Sequence, residues 1–172
     1  MKKILLTTAA LSLSLAASSY AADGNVNFIG SITDQTCEVT TGSQNLNVVL
    51  GNVARTAFTG GTGTEASKTR FTLQLENCPA AALTARVKFD GTPEVTNPDY
   101  LAITSGAGVA SGVAIKLYDA SNTALPLNTA SMSYPLVTTG VNNLNFAASY
   151  ISTGPVTVGP ANSTTAFTVN YN

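Results

Sequence analysis

Apolar and polar residues along the chain alternate with a period of two, in short stretches set off by Gly, Asn, Pro and Thr, and helical periodicity is nearly absent. Val26, Phe28, Gly30 and Ile32 alternate with Asn27, Ile29, Ser31 and Thr33, which predicts a strand with one mostly apolar face. Leu46 to Leu50 predicts a second. Phe71, Leu73 and Leu75 alternate with Thr72, Gln74 and Glu76 and lead directly into Cys78. Val87 and Phe89 alternate with charged neighbours, and Val113, Ile115 and Leu117 repeat the pattern. Leu144, Phe146, Ala148 and Tyr150 form another series, and Phe167, Val169 and Tyr171 form the last. The stretches 59–67 and 105–112, rich in Gly with Thr or Ala, read as loops, and Ala80 to Ala82 as one helical turn at most. Roughly seven to nine short strands with turns between them bury their apolar faces most simply as an all-β, two-sheet sandwich.

The first residues break this pattern. Lys2 and Lys3 precede an apolar run from Ile4 to Ala17 and a small-residue stretch from Ser18 to Ala22, the order of a secretory signal. Ser19 and Ala21 suit the two small subsites of a signal peptidase, so residues 1–21 are expected to be removed and the mature chain to start at Ala22. About 151 residues remain, enough for one core. No later run reaches the roughly 18 to 20 apolar residues of a membrane span, so the mature chain is expected beyond the inner membrane.

Without Lys2 and Lys3, six basic residues face nine acidic ones with no basic cluster, a poor match for nucleic acid. Cys37 and Cys78 are the only cysteines, and an exported chain with an even count is expected to pair them. The metal or redox alternatives would need a C-x-x-C spacing or histidine, and the chain has no histidine. Closing a loop of about 42 residues contributes about 4 kcal/mol in the chain-entropy description.

Candidate chemistry is thin. Without histidine a Ser/His triad is excluded. Asp90, Glu94 and Asp99 are close enough in sequence for a paired-carboxylate site, but they sit among Gly91, Pro93, Asn97 and Pro98 and read as loop acids. Gly106, Gly108 and Gly112 miss the dinucleotide spacing and open a strand instead of a helix, while Lys68-Thr69 follows Ser67 where a phosphate loop needs Gly. Asn162-Ser163-Thr164 is a formal glycosylation triplet to which no function is assigned. No catalytic residue, cofactor or metal ligand is expected, nor a small-molecule substrate.

Gly30 stands on an apolar strand face where a β-branched or aromatic residue packs better. Two explanations stay open: a bulge or close backbone approach within an ordinary sandwich, or a strand that enters a tight groove on another molecule.

Four segments resemble the type 1 and P-type pilins assembled by the chaperone-usher route. They are Val26 to Ile32 with the seven-residue step from Gly30 to Cys37, Val48 to Val53, Phe71 to Cys78, and the tail from Gly159 to Tyr171 and Asn172. The resemblance spans nearly all of the mature chain. It implies an incomplete immunoglobulin-like β-sandwich, completed by a donor strand from a neighbouring subunit, in a structural fimbrial subunit that builds the fibre shaft and supports adhesion. It further implies residues 22–35 as the donor-strand extension, with Val26, Phe28, Gly30 and Ile32 as donor positions, and residues 36–172 as the pilin domain. Gly159, Phe167, Val169 and Tyr171 would form the C-terminal strand that meets chaperone and neighbouring subunit. The implied partners are further pilin subunits in a head-to-tail homopolymer, a periplasmic chaperone and an outer-membrane usher, and the implied destination is a cell-surface fimbrium reached through the periplasm. The length leaves no room for the separate receptor-binding domain of a tip adhesin. The rival expectation is a self-contained secreted, lectin-like sandwich in which Val26 to Ile32 pairs inside its own fold. Absence of Trp argues against a stacking platform for sugars.

Overall fold

The computed structural model describes residues 24, 26–30, 32 and 36–172, so the expected targeting segment 1–21 lies outside the described residues. The chain divides into two units, 1–32 and 33–172. In the second unit the strands are β1 (Glu38–Val39), β2 (Glu65–Glu76), β3 (Thr84–Asp90), β4 (Leu101–Ala102), β5 (Val113–Tyr118), β6 (Ala124–Leu125), β7 (Tyr134–Pro135), β8 (Asn142–Ser152) and β9 (Ala166–Tyr171). One helical turn, α1 (Thr41–Gln44), and a 3-10 turn at Arg55–Phe58 complete the elements.

Two antiparallel sheets result. The larger runs β1-β2-β8-β5-β4 with β6 added to β5, and the smaller runs β7-β3-β9. Register follows the apolar alternation: Phe71 lies opposite Phe146 and Leu73 opposite Leu144 in β2/β8, while Phe89 lies opposite Phe167 and Val87 opposite Val169 in β3/β9. A one-residue slip would turn each apolar set toward solvent, so burial fixes the pairing. Phe146 anchors the core between the sheets, stacked on Phe71 at 5.7 Å and edge-on to Phe89 at 5.1 Å, with Tyr134 at 5.4 Å. Leu75, Val87 and Leu144 are buried around it. Such offset and edge-to-face contacts contribute beyond the area they bury.

Cys37 and Cys78 form a disulfide across a sequence separation of 41 residues. It ties the start of the second unit to the end of β2, and Asn142 Nδ2 donates to Cys78 Sγ at 3.3 Å while its side chain also bonds both backbone groups of Val137. Every buried side-chain polar atom among the described residues has a partner.

Three local expectations differ from the structure. Part of the 59–67 stretch is strand, because β2 begins at Glu65; a register shift between Ala66 and Thr69, with Ser67 at φ 57°, interrupts the alternation that would have revealed it. Leu46 to Leu50 is extended chain outside any sheet: Ser67 Oγ donates to Leu50 O and Thr69 Oγ1 to Val49 O at 3.4 Å, but no strand lies on its other side. Val26 to Gly30 and Ile32, read as a strand from their alternation, are in no strand here. Both apolar segments lack the neighbouring strand that alternation alone cannot supply.

On the larger sheet, Lys116 Nζ sits 2.7 Å from Glu65 Oε1, Tyr118 donates its hydroxyl to Glu65 Oε2, and Lys68 Nζ lies 3.6 Å above the Tyr118 ring. Burial pushes the Glu65 carboxyl up, but the hydrogen bonds from Lys116 and Tyr118 and the charges of Lys116 and Lys68 outweigh it and leave the pKa lowered. A carboxyl whose pKa is lower when folded stabilises the protein above its unfolded pKa, and that contribution is lost as pH falls through the folded value. Glu65→Gln is therefore expected to cost about 1 kcal/mol at neutral pH and nothing at strongly acid pH. Thermal melts of both proteins across the acid range would show the two curves converging; parallel curves would contradict the assignment.

Candidate functional site

A groove of about 1180 Å³ opens between the two sheets of the second unit. One rim is the extended segment from Leu46 to Asn52, and the other runs from Ala161 to Phe167 into β9. Its floor consists of core side chains, among them Phe71, Leu73, Phe89, Leu117 and Tyr150. No Asp, Glu, Lys or Arg lines it. Among the described residues the smaller sheet ends at β9, which pairs with β3 alone, so its outer edge carries backbone groups without a ladder partner there. Phe167, Val169 and Tyr171 are accordingly half-buried, although the facing positions Val87 and Phe89 on β3 are fully enclosed.

The rims are fastened before anything occupies the groove. Tyr150 Oη donates to Ala161 O at 2.9 Å, Thr104 N to Asn162 O at 2.7 Å and Ser163 Oγ to Ala102 O at 2.6 Å, which pin one rim to β8 and to the chain around β4. Tyr171 Oη donates to Cys37 O at 3.3 Å and holds the end of β9 against the disulfide. Burial raises the pKa of both tyrosines, so the hydroxyls stay protonated donors through neutral pH. A groove held open in this way has the shape and apolar lining for an extended, uncharged segment, with the β9 edge beside it for backbone pairing.

Gly159 lies seven residues before β9, not within it. A Cβ there would fall 2.4 Å from Gly108 O and 2.6 Å from Ala110 N, so its glycine identity is explained by the close approach of the 108–110 loop. Gly30 contrasts with it, since a Cβ at Gly30 would meet no atom within 4 Å. Val26 is 78 % exposed and Phe28 94 %, and Ile32 is fully exposed, a large apolar surface for a segment of this length to leave in water.

Of Asp90, Glu94 and Asp99, the first two carboxylates have structural partners. Glu94 Oε2 accepts from Thr96 N at 2.8 Å, Thr96 Oγ1 at 2.6 Å and Asn97 N at 2.9 Å, and although burial raises its pKa these bonds lower it overall, the reverse of what a general acid requires. Asp90 pairs with Lys88 at 2.8 Å.

Sequence reasoning did not identify the groove rims. Leu46, Val49 and the 161–167 segment line the site only because β9 ends the sheet, and the one signal that could have found them is an apolar run at 46–50 left without a strand partner.

The family model described as "Fimbrial protein" matches residues 26–172. The chain is 36 % identical to the type-1 fimbrial protein subunit of Serratia marcescens, over 99 % of each chain. It is 34 % identical to long polar fimbria protein A of Salmonella typhimurium, over 99 % of this chain and 97 % of that one. Among solved structures, the type I fimbria protein of Burkholderia pseudomallei is 38 % identical, with a TM-score of 0.60 over 85 % of this chain and 96 % of that one. The P pilus rod subunit PapA superposes with a TM-score of 0.67 at 18 % identity, over 80 % of this chain and all of that one, and shares the immunoglobulin-like fold. The chain belongs to the fimbrial protein family, as a structural subunit of a surface fimbria.

Proposed function

We propose that the groove is the acceptor site for residues 22–35 of a second copy, and that the fibre grows as each subunit's extension completes the sandwich formed by residues 36–172 of its neighbour. The observation that carries this reading is the combination of an uncharged, apolar-floored groove beside a sheet edge unpartnered among the described residues with a segment, 24–32, that is free of charged residues, alternates apolar side chains and is exposed at Val26, Phe28 and Ile32. Val26, Phe28 and Ile32 descend to the floor, Phe28 being the largest anchor, and Gly30 meets a position with room only for hydrogen. Phe167, Val169 and Tyr171 lie under the incoming strand. Giving to one neighbour and accepting from another makes the contact head-to-tail, so an unbranched filament forms instead of a closed ring.

In the same reading, an unfilled groove exposes core side chains and a sheet edge, so a periplasmic chaperone covers it until an outer-membrane usher exchanges the chaperone for the next subunit. The subunit has no catalytic role. The self-contained binding module is not favoured, because the relatives that match nearly the whole chain are fimbrial subunits.

Deleting residues 22–35 leaves a subunit that accepts but cannot donate. Supplied as the sole subunit, it should give no fibres by electron microscopy, and mixed with the intact chain it should shorten them. Fibres of normal length from the deleted chain alone would overturn the reading.

A further inference from the structure

The end of the domain at which the Cys37–Cys78 disulfide lies carries a patch of three exposed aliphatic residues that do not line the groove. Leu83 is 68 % exposed, Val137 55 % and Val141 46 %. Hydrogen bonds bring their chain segments together: Leu83 O accepts from Leu136 N at 3.0 Å, and the Asn142 side chain bonds Val137 N and O at 2.7 and 2.9 Å. Asn142 also reaches Cys78 Sγ, and Leu83 N donates to the carbonyl of Asn172, at the end of β9 that Tyr171 fastens to Cys37. All three segments are thus bonded to the disulfide end of the domain, where the chain from residue 36 enters it.

We infer that Leu83, Val137 and Val141 form a second contact between successive copies, packing against the body of the subunit that receives this copy's extension. The inference rests on the strand-donation reading above. Its argument is chain length: from Ile32, seated in the acceptor's groove, to Cys37, held in its own domain, five residue steps span at most about 18 Å. An acceptor held that close to Cys37 must face this end of the donor. Three exposed aliphatic side chains there become buried, and they resist separation and bending of the two bodies in a way that strand insertion alone does not.

The test compares the full mature chain with Leu83→Lys/Val137→Lys, both substitutions at exposed side chains whose backbone bonds are kept. Two readouts are taken: the rise in melting temperature of the monomer on adding a synthetic 22–35 peptide, and the length and denaturant resistance of assembled fibres. The expected result is an unchanged peptide effect with fibres shortened by at least about tenfold, since each of the two aliphatic side chains lost from a buried contact weakens it by about that factor. Fibres equal to wild type in length and resistance overturn the second contact while leaving strand donation intact. A peptide without effect on either protein overturns strand donation and this inference together. Normal assembly in vitro but failed export in cells would assign the patch to a transport factor and overturn it as well.

Discussion

Gly30→Leu should leave the subunit folded and exportable but abolish its fibres. The expectation follows from two facts about the same residue. A Cβ at Gly30 meets no atom within 4 Å, and its φ is not in the left-handed region, so within the lone chain a side chain there costs nothing in packing or backbone strain. In the proposed strand donation, Gly30 would stand on the apolar face between Phe28 and Ile32, the face turned toward a floor that includes Phe71, Leu73 and Leu117. A leucine forced into a position sized for hydrogen either clashes, at a cost of about 1 to 3 kcal/mol, or lifts the strand away from the β9 edge and breaks its ladder bonds as well. Because every junction carries the same defect, the loss compounds along the filament. The check is fibre formation by electron microscopy beside the melting curve of the purified monomer. Fibres of normal length from this variant would remove the shallow position from the account, and a monomer that fails to fold would show that Gly30 serves its own subunit.

Gly30 should behave differently from Gly159, although both are glycines of the motifs that resemble the pilins. Gly159 is hemmed in by Gly108 O and Ala110 N within its own domain. A side chain there would disturb the approach of the 108–110 loop to the rim that begins at Ala161. The two residues thus separate assembly from folding.

How far the sequence revealed this depends on where each segment finds its partner. Strands whose partners lie in the same domain were legible: Phe71 to Leu75 and Leu144 to Phe146 alternate because one face meets a core and the other meets water, and they pair as that alternation requires. The disulfide was legible from cysteine count and compartment. The two-residue strands at Glu38, Leu101, Ala124 and Tyr134 were not, since two residues carry no period. Leu46 to Leu50, Val26 to Gly30 and Ile32 were legible as strand positions in pattern yet lie in no strand here, because alternation does not supply the neighbour a strand needs. The groove itself was invisible to pattern. It arises where β9 ends the smaller sheet, a consequence of topology, and no local run of residues encodes it. Tyr150 and Ala161, which hold its rim, read in sequence as ordinary strand and loop positions.

Stability and function are linked through the same edge. The second unit has its core aromatics in place around Phe146, but β9 is half-exposed along its apolar side and part of the core forms the floor of an open groove. The burial that a complete sandwich would gain from one more strand is thus available only from outside the domain, and a ligand that binds only the folded state stabilises it in proportion to its affinity. Because the rim at Ala161 to Ser163 is pinned by hydrogen bonds from Tyr150, Thr104 and Ser163, little ordering of that rim remains to oppose binding.

The most direct measurement takes residues 36–172, refolded with the Cys37–Cys78 disulfide, and melts them with and without a peptide of residues 22–35. The account predicts a rise of tens of degrees with the native peptide, comparable to adding a core strand, and little or none with the Gly30→Leu peptide. A domain that is already stable and ignores both peptides would show that the extension is not the strand the groove receives.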